Sequence, residues 1–590
     1  MSKKFNYLAS VFALLFCFSA IAFGQATTGT IEGTITDPTG AVVPGVEITV
    51  TNRVSTQGGR TDTTVGFRRT TTTDDNGFFR LQQVPPGFYT VTTAATSGFG
   101  TSTANNVEVV LDKTTPVNIA LAAGTGTVQV DVNADTLAID PTDNKIQTNI
   151  TQATAELLPK GVNFTSLLTV APAVRNEPLS GGFQIDGASG SENTFIIDGQ
   201  EVTNFRTGTL NLNNNIPFQF VQEVQVKSSG FTAEFGGATG GVVNVVTRGG
   251  GNQFRGEVGA DFNISRFQGG PRPFLNLTNF TGGSAVENIP VRKDEGTSFF
   301  PFISLGGPII KDRMWFFGSY APQIINTDRT IDLFASNNFN PATRTIVSTN
   351  TYTRRQKNEY AFGRIDIQPI ESIRMTGTYL WNPIEVLGTP PAQSPFGTVP
   401  GITFPGRGRV EGPDFSNFTG GRQSSNNTTG SITWVPTERL VLSARAGYSF
   451  LNEKLGNYGV PAVSGQTRLL TQVTTGATAP TGFPAAGTQN FPGFSQLLFD
   501  VSFRRTFDAD ASYFLSNFGG RHQFKGGVQF NGISNSIQST LVDTVVFRFN
   551  GVGQPPQTVR SLTGRTDAPA PSPGAIGAGF LQQQVMFLLR

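Results

Sequence analysis

The feature that most constrains this chain is its second half, where alternating strands are joined in pairs by tight turns and the pairs are separated by long Gly/Pro-rich stretches. Leu440, Leu442, Ala444, Ala446, Tyr448 and Phe450 fall on one face of a strand, and Ser443, Arg445, Gly447 and Ser449 on the other. Side chains in a strand alternate between faces, so this is a period-two pattern sustained beyond the usual strand length. It recurs at Phe524, Val528 and Phe530 against Gln523, Lys525 and Gln529, and at Ile373, Met375 and Tyr379 against Arg374, Thr376 and Thr378. Partners are joined by Pro369-Ile370-Glu371-Ser372, Pro436-Thr437-Glu438 and Gly519-Gly520-Arg521, whereas their other ends lead into 383–426 and 455–495. Those two are far longer than ordinary hairpin loops. Short turns on one side and long loops on the other predict a transmembrane antiparallel β-barrel.

The N-terminus and composition agree with export. Lys3 and Lys4 precede an apolar run from Tyr7 to Phe23, with Ala22 and Gly24 before Gln25, the pattern of a signal peptide over 1–24. The single cysteine, Cys17, lies inside it, and the bulky Phe16 before it does not suit lipoprotein cleavage. The expected mature protein has no thiol, so a disulfide framework, a thiolate nucleophile and a Cys-bound metal are all excluded. Beyond the signal, no apolar stretch reaches the roughly 18 residues of a spanning helix. The 69 glycines and 50 phenylalanines favour many turns and aromatic girdles. A net charge of +2 with 14% charged residues gives no case for nucleic acid.

Four segments follow the signal. Residues 26–122 are short strands punctuated by turns, among them Asp37-Pro38-Thr39-Gly40, Asp75-Asn76-Gly77 and Pro85-Pro86-Gly87, which predicts a β-sandwich. The stretches GTIEGTITDPTGAVVPGVEITVTN and TTTDDNGFFRLQQVPPGFYTVTT resemble the carboxypeptidase regulatory-like domain, a transthyretin-like sandwich grouped with carbohydrate-binding-like folds. Residues 123–142 lose apolar periodicity and read as a linker, within which Thr127, Val128, Gln129, Val130, Asp131 and Val132 form a short β-prone patch. Such a strand adds to another protein's sheet edge by backbone pairing; a plain linker is the other reading.

Residues 143–250 predict a mixed α/β unit, with helices at Ala153–Leu158 and Phe164–Leu168. Strands are expected at Phe183–Ile185, Thr194–Ile197, Val221–Lys227 and Val242–Thr247. FQIDGASGSENTFIIDGQEVTN and FVQEVQVKSSGFTAEFGGATGGVVNVVTRGG resemble the plug domain of TonB-dependent outer-membrane receptors. Gly236, Gly237, Gly240 and Gly241 would allow positive-φ turns and close backbone approach. Gly249-Gly250-Gly251 is a natural joint into a first barrel strand near Phe254–Phe267. In 251–590, SLGGPIIKDRMWFFGSY resembles the Oar-like branch of these receptors. About nine to eleven strands are expected there, against the family's roughly 22. Gln584–Arg590 does not give an aromatic-terminated final strand, so the barrel is expected to be incomplete and the chain part of a longer one.

Few residues carry chemistry. His522 borders a tight turn, and without a second His or a mature Cys neither a Ser/His/Asp relay nor a zinc site assembles around it. Asp74-Asp75-Asn76-Gly77 superficially resembles the start of a calcium loop, but its spacing and missing distal Glu make it a turn. Asp186 and Asp198 each precede a glycine and read as Asp-Gly hairpin turns rather than an acid/base pair. Asn213–Asn215 and Phe218 read as plug packing rather than a ligand surface. No catalytic, cofactor or metal residue is assigned, no cofactor is expected, and ligand-binding residues are not identifiable.

The resemblance implies a receptor/transporter of the cell outer membrane of a Gram-negative-type bacterium. Its partners would be a TonB-type periplasmic coupling protein pairing with Thr127–Val132, outer-membrane lipid, and an extracellular ligand, glycan or peptide. It would not be an enzyme. The alternative is an outer-membrane adhesin or structural protein whose sandwich binds glycans, with Tyr89 and Phe99 as aromatic candidates.

Overall fold

The computed structural model of the chain describes residues 27–52, 55–57, 60–62, 66–96, 98–122, 124, 128–131, 146–177, 181–230, 235, 238–280, 283–289, 292–334, 346–388, 390, 420–455, 468–473, 487–489, 496–515, 522–541, 544–549, 560–561 and 586–589. The expected signal peptide with Cys17, the Gly519–Arg521 turn, and Gly236 and Gly237 lie outside the described residues.

Strand Gly29–Thr36 buries every second residue, so Ile31 and Ile35 enter a core while Glu32 and Thr34 stay at its margin. One sheet of the resulting sandwich orders Ile119–Ala120, Gly29–Thr36 and Phe78–Val84, with Thr114–Pro116 beside Gly29–Thr36. The other orders Val128–Asp131, Ser102–Val109, Gly87–Thr93, Glu47–Asn52 and Arg68–Thr72. Ile48, Val50, Phe67, Phe79, Tyr89, Val91 and Val107 fill the space between. Each fully buried side chain of this kind contributes about 1.5–3 kcal/mol.

The plug sheet orders Ile146–Thr151, Val221–Ser229, Val242–Thr247, Thr194–Ile197 and Gln200–Glu201. Val242–Thr247 is buried along its whole length, as a strand covered on both faces must be. The expected strands at Phe183–Ile185, Thr194–Ile197 and Val242–Thr247 are present, and Val221–Lys227 continues to Ser229. The first expected helix is Gln152–Leu157, capped by the Thr151 hydroxyl. The second is a 3-10 helix, Phe164–Val170. Strand Ile146–Thr151 was not expected, because only Ile150 in IQTNIT is buried and no alternation shows.

The wall is a sheet of thirteen strands. Three continue a neighbour in line: Met314–Tyr320 runs into Gln323–Phe334, Ile346–Asn358 into Ala361–Ile370, and Ile373–Trp381 into Ile384–Leu387. Thirteen less three gives ten passes among the described residues, within the expected range. Ile384–Leu387 and the start of Gly420–Thr437 occupy both ends of what read as the loop 383–426. The second long stretch likewise contains strands, Arg468–Val473 and Gly487–Gln489, in a small sheet with Thr544–Phe549 and Arg560–Ser561. Gly/Asn/Thr-rich composition hid these extensions, which pair partly within the same stretch, Ile384–Leu387 with Gly420–Gln423 and Leu469–Thr471 with Gly487–Gln489, and partly with distant strands.

The two faces of the wall differ as the alternation requires. Met375, Tyr379, Ile303, Ile365 and Phe530 are exposed on the outside, and Arg374 and Thr378 are buried inside. The first strand is Arg255–Ile264, and Phe267 closes a short 3-10 turn after it. Among the described residues this strand pairs only with Thr297–Ile310, and at the far margin His522–Leu541 pairs with Met586–Leu589, so the barrel is open.

Candidate functional site: the plug and its anchors

Arg364 and Asp366 are two apart on one strand, so both face inward, and Arg374 lies diagonally across the neighbouring strand. Asp366 accepts from Arg364 Nε at 2.8 Å, Arg374 Nη2 at 2.9 Å and Thr376 Oγ1 at 2.8 Å. Each guanidinium then reaches a different body. Arg364 Nη1 donates to the plug's Thr247 carbonyl at 2.8 Å, and Arg374 Nη1 to the sandwich's Gly66 carbonyl at 2.9 Å. Thr247 in turn donates through N and Oγ1 to Asp198, at 2.9 and 2.7 Å. One buried wall carboxylate therefore ties plug and sandwich to the barrel. Gly66 permits this approach: a Cβ there would lie 2.1 Å from the Trp315 ring.

A second anchor holds the plug tip. The three in-line wall strands are interrupted at one level, where Ala321 N donates to Tyr360 O, Glu359 N to Pro383 O and Asn382 N to Ser425 O. The plug loop at Asn211–Asn215 seats against this belt. Asn213 Nδ2 donates to Asn382 O at 2.9 Å, Asn427 Nδ2 to Asn214 Oδ1 at 2.8 Å, and Tyr360 OH to Leu212 O at 2.9 Å. Asn382 Nδ2 returns a bond to Asn213 O. On the next two strands along the wall, Leu440–Leu455 and Gln496–Leu515, Glu453 and Asp500 pair with Arg206, and Arg504 with Glu201.

A third set joins the sandwich to its surroundings. The edge strand Arg68–Thr72 exposes backbone donors that two turn glutamates accept: Thr70 N to Glu371 at 3.0 Å and Thr72 N to Glu438 at 3.1 Å. On the plug side, Leu111 N donates to both Glu223 oxygens at 3.1 and 3.2 Å, and Gln225 Nε2 to Leu111 O at 2.9 Å. Lys227 Nζ meets Asp112 at 2.7 Å. Burial pushes the Glu223 carboxyl up to about 7, against the pull of the Asn149 amide and the Leu111 N–H.

The segment singled out for partner binding falls at a sheet edge. Val128–Asp131 pairs in parallel with Ser102–Asn105 of the sandwich; Thr127 and Val132 lie outside the described residues. Asp186 and Asp198 head Asp-Gly turns in which both residues have positive φ, 53° and 85° for the first and 48° and 80° for the second, the type I′ pattern. They stand in separate turns, and Asp198 is occupied by Thr247. Gly240 and Gly241 show close approach without positive φ, since a Cβ on either would lie 2.6 Å from Asn193 or Ile185. Asn213 and Asn214 are packing residues, and Phe218 is in the plug core. His522 is exposed and stacks on Phe524, and Asp74 caps its own turn by accepting from Asn76 N and Phe78 N. Tyr89 offers no platform for a sugar: it is fully buried, with its hydroxyl on Pro85 O, and Phe99 packs on the same core.

Sequence reasoning missed the anchors. The shared Pro-x-Glu of the turns at Glu371 and Glu438 is the one signal that pointed to them. Asp366, Arg364 and Arg374 fit the barrel alternation and nothing more.

Residues 30–122 match the carboxypeptidase regulatory-like domain, and residues 142–242 match the TonB-dependent receptor plug domain. The chain is 30% identical over 328 residues to the TonB-dependent transporter Oar of Myxococcus xanthus. The chain therefore carries a TonB-dependent receptor plug domain behind a carboxypeptidase regulatory-like domain, and over its matched part it is similar to a TonB-dependent transporter. The plug match and the likeness to Oar indicate a Gram-negative outer-membrane location. The Oar match covers 54% of this chain and 29% of Oar, so the chain spans under a third of that relative. Among solved structures it is similar to the outer membrane transporter YddB from Escherichia coli, with TM-score 0.46 and 14% identity over 69% of this chain and 50% of that one. A ferric enterobactin receptor mutant from Pseudomonas aeruginosa, solved in complex with enterobactin, aligns with TM-score 0.41 and 13% identity over 67% of this chain and 49% of that one.

Proposed function

We infer that this receptor imports an extracellular ligand by energy-coupled movement of its plug. A TonB-type periplasmic coupling protein would take Thr127–Val132 as an added strand and pull. The observation that carries this is the route of the chain: Val128–Asp131 leads through residues 132–145 into Ile146–Thr151, the edge strand of the plug sheet. A pull on that route peels an edge strand pair by pair instead of breaking the whole sheet at once. Plug movement is then a binding-protein function with no catalytic step. A neutral polar ligand, glycan or peptide, suits the Asn/Thr-rich plug tip, where Phe205 and Thr207 are exposed.

Deleting Thr127–Val132 is expected to abolish uptake while binding of the same ligand at the cell surface persists. Uptake that survives the deletion would remove the coupling assignment.

A further inference from the structure

We propose that the N-terminal sandwich is a brace that locks the plug to the barrel wall, and that the Leu111–Asp112 loop gripped by the plug is the point where it lets go. This rests on the reading of the plug as the moving part.

The sandwich touches two bodies that must separate when the plug moves. Toward the wall it is held by Glu371, Glu438 and Arg374, and by Gln368 Nε2 donating to Arg68 O at 2.7 Å. Toward the plug it is held at Leu111–Asp112, with one further backbone bond from Gly66 N to Gly250 O at the joint into the wall. A plug that moves relative to the wall must therefore break one set or the other.

The plug-side set has the chemistry of a release point. Glu223, Gln225 and Lys227 lie two apart on strand Val221–Ser229, hence on one face, while Val224 and Val226 point into the plug core. All three polar residues are buried at 0–1% exposure, and all three bind a single two-residue loop. An interface built only for adhesion would bury apolar area there, which separates into water at a cost proportional to its area. Polar groups that are paired when docked exchange those partners for water on parting, so their net hold is modest and reversible. Asp112 adopts φ 52°, in the left-handed region, which turns the loop so that its backbone and its side chain both face the plug.

The trigger is also placed. Asn149, on the edge strand to which residues 132–145 lead, donates to Leu111 O at 3.1 Å and also to Glu223. Peeling Ile146–Thr151 from Val221–Ser229 withdraws Asn149 from both, so the first movement of the plug and the loosening of the brace are one event.

The test is amide hydrogen exchange on the purified full chain in detergent, with no coupling protein present. Asp112→Asn keeps the loop's shape and tolerance of positive φ while removing the charge that meets Lys227. It is expected to speed exchange in Ile146–Thr151 about tenfold while the sandwich strands Gly29–Thr36 and Glu47–Asn52 keep their protection. Asn149→Ala, made from the plug side, is expected to do the same. Adding Lys227→Met to Asp112→Asn is expected to add less than twofold, because the ion pair is already gone and Met still packs on the Phe235 ring over which Lys227 Nζ sits at 4.3 Å. Unchanged exchange in Ile146–Thr151 for both single variants would overturn the brace. A failure of the coupling assignment would leave this experiment untouched and would show instead as uptake that survives deletion of Thr127–Val132.

Discussion

Glu223 gives the sandwich–plug contact a pH signature. Its docked value, about 7, lies above the ordinary 4.5, so between those limits the native state holds a proton that the unfolded or undocked chain has released. The sign follows: the contact is firmest at low pH and weakens as pH rises through about 7, by no more than roughly 3 kcal/mol. The other groups facing it are Glu108 and Lys113 of the sandwich, which oppose each other, and the Asn149 amide from the plug edge. Thermal unfolding of the full chain between pH 5 and 8 is expected to show this fall, and Glu223→Gln to flatten it. A second residue-scale expectation concerns Asp366. Asp366→Asn keeps the shape but leaves Arg364 and Arg374 buried without their counter-charge, and should cost about 3–5 kcal/mol, read as a lower urea midpoint. Neither residue was legible in the sequence. A buried carboxylate between two arginines of one hairpin is indistinguishable, in a string of letters, from a lumen-facing charge in water.

At the scale of elements, the readable parts were those whose neighbours are close in sequence. The hairpins around Glu371 and Glu438 announced themselves because alternation and turn chemistry are local. The Asp-Gly turns at Asp186 and Asp198 did so for the same reason. Ile146–Thr151 did not, because it becomes a strand only through pairing with Val221–Ser229, far along the chain. The in-line extensions past Ala321–Pro322 and Asn382–Pro383 were hidden by the prolines, which read as ends of strands and are instead the belt where the plug tip docks. That belt gives a testable element. Tyr360→Phe removes the bond to Leu212 O and is expected to cost about 1 kcal/mol and to speed exchange at Asn211–Asn215. Unaltered exchange there would mean that the tip is held by Asn213, Asn214, Asn382 and Asn427 alone.

For the whole molecule, sandwich, plug and wall read from the sequence as three beads in order, and the structure shows them bound at shared nodes. Those nodes join residues such as Arg374 and Gly66, or Glu223 and Leu111, that no local pattern links. They matter because, under the proposed coupling, the work reaching the plug would enter through the stretch between sandwich and plug. Cysteines placed one at a time at Val128, Gln129, Val130 and Asp131 in living cells, beside a coupling protein carrying its own cysteine, test that entry point most directly. Disulfide adducts are expected to alternate along the four positions, as strand pairing requires, and to increase when ligand is supplied. Adducts absent from all four positions, while uptake continues, would contradict the proposed coupling.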